Sequence, residues 1–322
     1  MLERLSFIKT LTINANDSNQ RLDKFLTKTF KALPTSMLYK AVRLKKIKVN
    51  NKKSTISYKL MEGDVLTIYL NDDLLISVKN DEFYRTLTPN IDILYEDENI
   101  LLVDKAPGMI CHSDSSESYN TLINHIISYL YRKAEYNPVK ENSFTPALVN
   151  RIDRNTGGIV IAAKNASTLR ILSEKIKNHE LCKKYLCIAD GIFDEKEAKV
   201  TSYLEKDSKK NMVFVHKKPN HKTKTAILKY RVLKENGICS LVEVELLTGR
   251  THQIRVQLAD IGHPLAGDGK YSTNEINKKY NLHHQALYSY KLKFCFKTTA
   301  FELDYLNNQE FTVTKSIFDG LI

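Results

Sequence analysis

Residues Asn150-Arg151-Ile152-Asp153-Arg154-Asn155-Thr156-Gly157-Gly158 run directly into Ile159-Val160-Ile161-Ala162-Ala163. The second segment is a short apolar run of the kind that forms a buried strand. The first places one acid, Asp153, between Arg151 and Arg154 at the mouth of that strand. Nearby cations favour the charged form of a carboxylate, so Asp153 is expected to stay ionised. Gly157-Gly158 allows a sharp turn or a close approach of the backbone. Taken alone, the segment reads more simply as a structural ion pair ahead of a core strand than as a reacting group. The rest of the chain decides between the two.

Outward from this point strand-like runs dominate, at residues 91–95, 100–103, 185–189, 226–232, 241–246 and 287–296. Helical patterns are fewer, at 122–131, 166–176 and 252–261. Strands without regular strand–helix alternation predict an α+β fold with a mostly antiparallel sheet. A small module precedes it, over residues 18–71. Leu22, Phe25, Leu26 and Phe30 repeat at helical spacing, and Pro34 breaks the pattern before a Thr35-Ser36 cap and a second helix carrying Met37, Leu38, Ala41 and Val42. Residues 47–52 then read as a strand entering an Asn50-Asn51 turn, and 65–69 as a closing strand. Residues 1–17 are expected to be an N-terminal extension, 72–90 a polar linker containing Pro89, and 91–322 the large domain.

Charge is segregated along the 322 residues. The net charge is +12, yet residues 18–60 carry 12 Lys/Arg against Asp23 alone, residues 61–150 carry 6 basic against 15 acidic groups, and residues 151–322 carry 29 against 19. Such segregation points to a polyanion partner, with nucleic acid first and a membrane surface second. No run approaches the ~18 apolar residues of a membrane span, and no lipid anchor or secretory signal is recognised. The five scattered cysteines form neither a disulfide framework nor a zinc-ligand spacing. A reducing cytoplasm is the expected setting, with no metal.

Four further clusters carry chemistry. Lys105-Ala106-Pro107-Gly108 is a turn leaving a strand, and Lys183-Lys184-Tyr185 places one tyrosine after two lysines. Thr248-Gly249-Arg250-Thr251-His252-Gln253-Ile254-Arg255 reads as a strand, a turn and a helix entry. Ile254, Leu258 and Ile261 are its expected buried face, and His252 and Arg255 are neighbours on another. Arg250, Thr251, His252 and Arg255 at a helix N-terminus make a plausible anion site. Gly262-His263-Pro264-Leu265-Ala266-Gly267-Asp268 follows as a glycine-rich loop.

This ordered set resembles the RluA-type family of pseudouridine synthases over about residues 91–296, and the basic module resembles the S4 RNA-binding domain. Leu33 to Tyr39, Val42-Arg43 and Val49-Asn50 further resemble the branch acting on large-subunit ribosomal RNA, its C-type before its D-type. The resemblance implies a pseudouridine synthase fold and a reaction that converts uridine to pseudouridine without metal, nucleotide or other cofactor. It implies Asp153 as the catalytic acid, Tyr185 as the active-site tyrosine and Arg255 as the partner of Asp153. RNA contacts are expected from Arg43, Lys45, Lys46 and Lys48 in the module, and from Arg151, Arg154, Lys184, Arg250, His252 and the lysines of 206–224 in the large domain. A monomer is expected. The chain departs from the family at Asn150, usually His, at Gly157, often Ser, and at Leu287-Tyr288-Ser289, often Leu-His-Ala.

Two other classes are weighed. A non-catalytic RNA-binding or ribosome-assembly protein has no need of a carboxylate among phosphates. A glycosidase needs two facing carboxylates or a metal, and Asp268 is the nearest second acid. Sequence leaves open whether Asp153 attacks sugar or base, or deprotonates the sugar.

Overall fold

A computed structural model describes residues 8–70, 82–315, 317–318 and 320–321 of the chain. In it the apolar run after Asp153 belongs to a strand, Gly157–Ala163, whose seven residues are all buried. Contacts divide the chain into two compact units. One is Met1–Pro89 with Asn124–Ala147 and Lys164–Ser167, and the other is Asn90–Ile123 with Leu148–Ala163 and Thr168–Ile322.

In the first unit the described residues form strands β1 (Ile8–Thr12), β2 (Ile47–Val49), β3 (Lys52–Lys53) and β4 (Val65–Tyr69), ordered β1-β4-β2-β3. Helices α1 (Leu22–Thr29) and α2 (Thr35–Arg43) cover them. Leu22, Phe25, Leu26, Leu38 and Val42 close on Ile47, Leu66 and Ile68 in one core, each such burial stabilising by about 1.5–3 kcal/mol. Residues 8–12 are not an extension, because β1 pairs antiparallel with β4 from Ile8↔Tyr69 to Thr12↔Val65. The second helix starts at Thr35, without a side-chain cap at Ser36; the Pro34 carbonyl instead accepts from the amides of Met37 and Leu38. Asp17, fully buried, accepts from Asn142 Nδ2 at 2.7 Å and Ser143 Oγ at 2.5 Å. Those bonds satisfy a carboxylate that burial would otherwise penalise.

Of the expected linker, residues 72–81 lie outside the described residues. Its remainder contains a short helix, α3 (Phe83–Thr86), whose Tyr84 is buried edge-on to Tyr131 at 4.7 Å between ring centres.

The second unit is built on a large sheet. Its strands are β5 (Asp92–Glu96), β6 (Ile100–Lys105), β7 (Ala147–Leu148), β8 (Gly157–Ala163), β9 (Leu181–Asp190), β10 (Glu197–Asp207), β11 (Met212–His216), β12 (Lys224–Glu235), β13 (Cys239–Leu246), β14 (Leu287–Phe294) and β15 (Glu310–Thr312). The order is β11-β10-β12-β13-β9-β14-β8-β6-β5, with β15 on β14 and β7 on β8. Along that order pairing is antiparallel except where β14 runs parallel to β8. Its helices are α5 (Ala166–Lys177), α6 (Gln253–Asp260) and α7 (Asn274–Tyr280), with a 3₁₀ turn at Phe301–Leu306, whereas α4 (Leu122–Arg132) belongs from Asn124 onward to the first unit. The α+β, mostly antiparallel expectation therefore holds, as does the small helical and stranded module.

Strand β10 is not legible in the sequence because its exposed lysines and glutamates hide the alternation, and β11 is a five-residue run set between Lys209-Lys210 and Lys217-Lys218. α6 buries Ile254 and Leu258, whereas Ile261 caps its end and is 37% exposed, so the expected third position of the buried face is lost. Among the described residues no helix is long and apolar enough to cross a membrane.

Candidate active site

Asp153 sits in the irregular segment that leads into β8, on the floor of a cleft of about 1680 Å³. Its loop is held from behind by Lys105 at the end of β6. That side chain is 1% exposed, and its ammonium donates to the carbonyls of Ala106 (2.9 Å), Met109 (2.7 Å) and Arg154 (2.9 Å). The amide of Gly108 donates to the same Arg154 carbonyl at 2.9 Å. A buried cation is tolerable when its donors are satisfied, and here the three acceptors join the Pro107-Gly108 turn to the Asp153 loop. Burial lowers the Lys105 ammonium to about 8, against the opposing pull of Cys111, Asp153 and Asp104. The Lys-x-Pro-Gly motif is thus a staple.

Arg255, projecting from α6, fixes the Asp153 carboxylate. Its Nε and Nη2 donate to the two oxygens of Asp268 at 2.7 and 2.8 Å, and its Nη1 donates to Asp153 Oδ2 at 3.0 Å. The fork geometry of a guanidinium allows a bidentate grip on one carboxylate while a remaining edge faces another. The Asp268 side chain is fully buried and that of Asp153 is 29% exposed, so Asp268 anchors the arginine and Asp153 opens to the cleft. Burial opposes the charge on Arg255, but the two carboxylates outweigh it and push its pKa up. Burial likewise opposes the charge on Asp268, and Arg255 outweighs that, holding the carboxyl below the usual range. Asp268 is therefore enclosed and paired rather than open to the cleft. Its place in the glycine-rich loop depends on Gly267, at φ +76°, where a Cβ would come within 2.1 Å of the His284 carbonyl oxygen.

Tyr185 lies on β9 with its ring in the cleft wall, buried among Ile254, Leu287 and Val244. Burial is the main cause that pushes its phenol up to about 12, aided by Asp153 and opposed by a hydrogen bond with Ser289. At neutral pH it offers a ring face and an O–H donor rather than a base. His252, left-handed at φ 51°, lies at the N-terminus of α6 with Nδ1 2.8 Å from the Tyr271 hydroxyl and Nε2 3.9 Å from Asp153 Oδ2. The amide of Val213 already donates to that hydroxyl at 2.8 Å. Burial, ahead of the charges around it, lowers the pKa of His252.

The two flanking arginines do not pair with Asp153. Arg154 Nη2 binds Asp114 at 3.0 Å and Ser116 at 2.6 Å on the cleft rim, and Arg151 is exposed beside it. Arg250 is exposed in the same cleft, its Nε donating to the Thr225 carbonyl at 3.0 Å. Nine Lys/Arg line the cleft against three acids, Asp114, Asp153 and Glu245. Lys184 is the exception among the expected contacts. Side chains alternate along a strand, so Lys183 and Tyr185 face the cleft while Lys184 turns to the opposite face and binds Glu243 at 3.1 Å. Of the 206–224 lysines, Lys206 lines the cleft. Arg43, Lys45 and Lys46 are exposed at the end of α2 and in the turn after it, and Lys48 lies over the Tyr69 ring at 5.2 Å.

The departures at 157, 288 and 150 have a structural logic. Tyr288 lies opposite Gly157 across the parallel pair, and a Cβ on Gly157 would come within 2.3 Å of its ring. The large ring, whose hydroxyl donates to Asp104 at 2.5 Å, requires a residue without a side chain opposite it. Asn150 replaces a missing stretch of ladder: its Oδ1 accepts from the Ile161 amide at 2.8 Å and its Nδ2 donates to the Ile159 carbonyl at 3.4 Å.

Known proteins share these features. The family described as RNA pseudouridylate synthase matches residues 99–260, and the S4 domain family matches 20–66. An uncharacterized RNA pseudouridine synthase of Mycoplasma genitalium is 34% identical over 86% of this chain and 86% of its own length. A ribosomal large subunit pseudouridine synthase C of Buchnera aphidicola is 31% identical over 88% of this chain and 87% of its own. The solved structure of human RNA Pseudouridylate Synthase Domain Containing 4 superposes with a TM-score of 0.53 at 19% identity, over 69% of this chain and 88% of that one. That likeness shows the fold.

Proposed function

The chain belongs to the RNA pseudouridylate synthase family, and from that premise we propose that it isomerises uridines of large-subunit ribosomal RNA, with Asp153 as the reacting acid. The observation that carries the assignment is the Asp268–Arg255–Asp153 chain, in which a buried carboxylate aims an arginine at a carboxylate open to the cleft. The large-subunit target rests on relatives such as the Buchnera enzyme and on the S4 match.

In this reading a uridine is extruded into the cleft, as chemistry on a base requires. The bond between C1′ and N1 breaks, the uracil turns, a bond between C1′ and C5 forms, and the C5 proton leaves while the freed N1 takes up one, so that product and substrate are isomers. Asp153 acts on the sugar or the ring from the cleft floor, and Arg255 keeps its carboxylate in a single orientation. Tyr185 supplies the surface on which the uracil rests. With its phenol held up at about 12, it does not take the C5 proton as a resting phenolate. Arg151, Arg154, Arg250 and His252 meet phosphates and sugars around the pocket. Arg43, Lys45, Lys46 and Lys48, on a module bounded at about 18–71, supply a further, sequence-independent grip. The protein works in the cytoplasm as a monomer without a cofactor.

Pseudouridine mapping across large-subunit ribosomal RNA from cells with and without the gene tests the assignment. Loss of pseudouridine at discrete sites is expected, with return on expressing the wild-type chain. An unchanged map would overturn the proposed target.

A further inference from the structure

Lys183 is a cation that the protein itself leaves unanswered. It lies two residues before Tyr185 on the same face of β9, and it lines the same cleft. Its direct neighbours across the two ladders are Leu246 on β13 and Leu292 on β14. Among the described residues no carboxylate pairs with its ammonium, and no carbonyl or hydroxyl accepts from it. Lys105 differs: its ammonium, more deeply buried than that of the half-buried Lys183, has three carbonyl acceptors. Lys184, one residue away, has Glu243. Holding a lysine among leucines without an acceptor costs stability, and such costs concentrate where a ligand is to be met. Beyond Lys183 the cleft continues to Lys177 at the end of α5, His179 just before β9 and Lys297 just after β14, all exposed.

We infer that Lys183 is a phosphate subsite: its ammonium takes a backbone phosphate of the RNA beside the uridine held against Tyr185, and the strand continues toward Lys177 and Lys297. The inference rests on the reading of the cleft as an RNA site and deepens it. Burial lowers the ammonium pKa, with only Cys182 opposing, so an arriving phosphate both pairs the charge and restores its basicity. Its role is to bind and place the nucleotide, with no part in bond making.

The test compares the full-length wild type with Lys183→Met and Lys183→Arg, using an unmodified large-subunit ribosomal RNA transcript. Three readouts are taken: affinity as a function of salt, pseudouridine formation, and thermal unfolding without RNA. Lys183→Met is expected to bind roughly tenfold or more weakly, as for loss of a charged hydrogen bond. The slope of log affinity against log salt should become shallower by about 0.7–0.9, one phosphate contact. Its free form should unfold at the same or a higher temperature than wild type, because an unpaired ammonium has been removed. Lys183→Arg should recover most of the affinity and the slope. Unchanged affinity and slope in Lys183→Met, or a fall in unfolding temperature matching the loss of binding, would overturn the inference. Because binding is read apart from turnover, a wild type that binds but converts no uridine refutes the proposed reaction while leaving the Lys183 comparison decisive.

Discussion

Replacing Asp268 by asparagine keeps the shape of the anchor and removes the charge that Arg255 was built to meet. The guanidinium stays buried, with a bidentate carboxylate exchanged for an amide that offers one acceptor and two competing donors. Removing one partner of a buried ion pair costs about 3–5 kcal/mol, and the remaining bond to Asp153 recovers part of that. At about 2–4 °C per kcal/mol for a unit of this size, the full loss would lower the unfolding temperature at neutral pH by roughly 6–20 °C, and the recovered bond reduces that fall. The loss should depend on pH in a fixed direction. Asp268 titrates below its ordinary value when folded. Its stabilisation is therefore complete above the unfolded carboxyl value of about 3.9 and disappears as pH falls through the folded one. Thermal unfolding of both proteins at pH 7, 5 and 3 should show a wide gap at the first two and a narrowing one at the third. Turnover should fall by about 10²-fold, the scale of a misplacement of the order of an ångström at a reacting group, with RNA affinity nearly unchanged. Equal unfolding temperatures at pH 7, or a gap that does not narrow in acid, would refute the anchor role.

Gly157→Ser should destabilise the protein by about 1–3 kcal/mol, the scale of overpacking, because the new side chain meets the Tyr288 ring. Combining it with Tyr288→His should restore most of that loss in chemical denaturation, and additive losses would show that the two positions do not share a space. Changing Arg43, Lys45, Lys46 and Lys48 together to Ala should weaken RNA binding and flatten its salt dependence, by about 0.7–0.9 in slope for each phosphate contact removed. A slope equal to that of wild type in a filter-binding series would remove the module from the RNA-contacting surface.

What could be read from the chain in advance follows from the range of the interactions. The buried strand after Asp153, the helices of the basic module and the entry to α6 were legible because hydrophobic periodicity and glycine placement act over a few residues. Arg255 could be matched to Asp153, 102 positions away, through the family resemblance. The anchor role of Asp268 could not, because nothing local marks a carboxylate as fully buried, and composition offered it only as a spare acid. That Lys183 and not Lys184 lines the cleft was hidden for want of phase. Two adjacent lysines are equivalent as letters, and strand alternation counted from Tyr185 would have separated them. Strand β10 was hidden because only one in several of its residues is buried, so its pairing with β12 supplies what hydrophobicity does not.

The central claim, that Asp153 performs the isomerisation within an otherwise intact RNA site, is tested most directly by purified wild-type and Asp153→Asn protein on the same unmodified large-subunit transcript. Wild type should form pseudouridine without releasing free uracil. Asp153→Asn should form none, while binding the transcript within about tenfold of wild type, or roughly 1.4 kcal/mol. Conversion by the asparagine variant, or release of uracil by the wild type, would contradict the account.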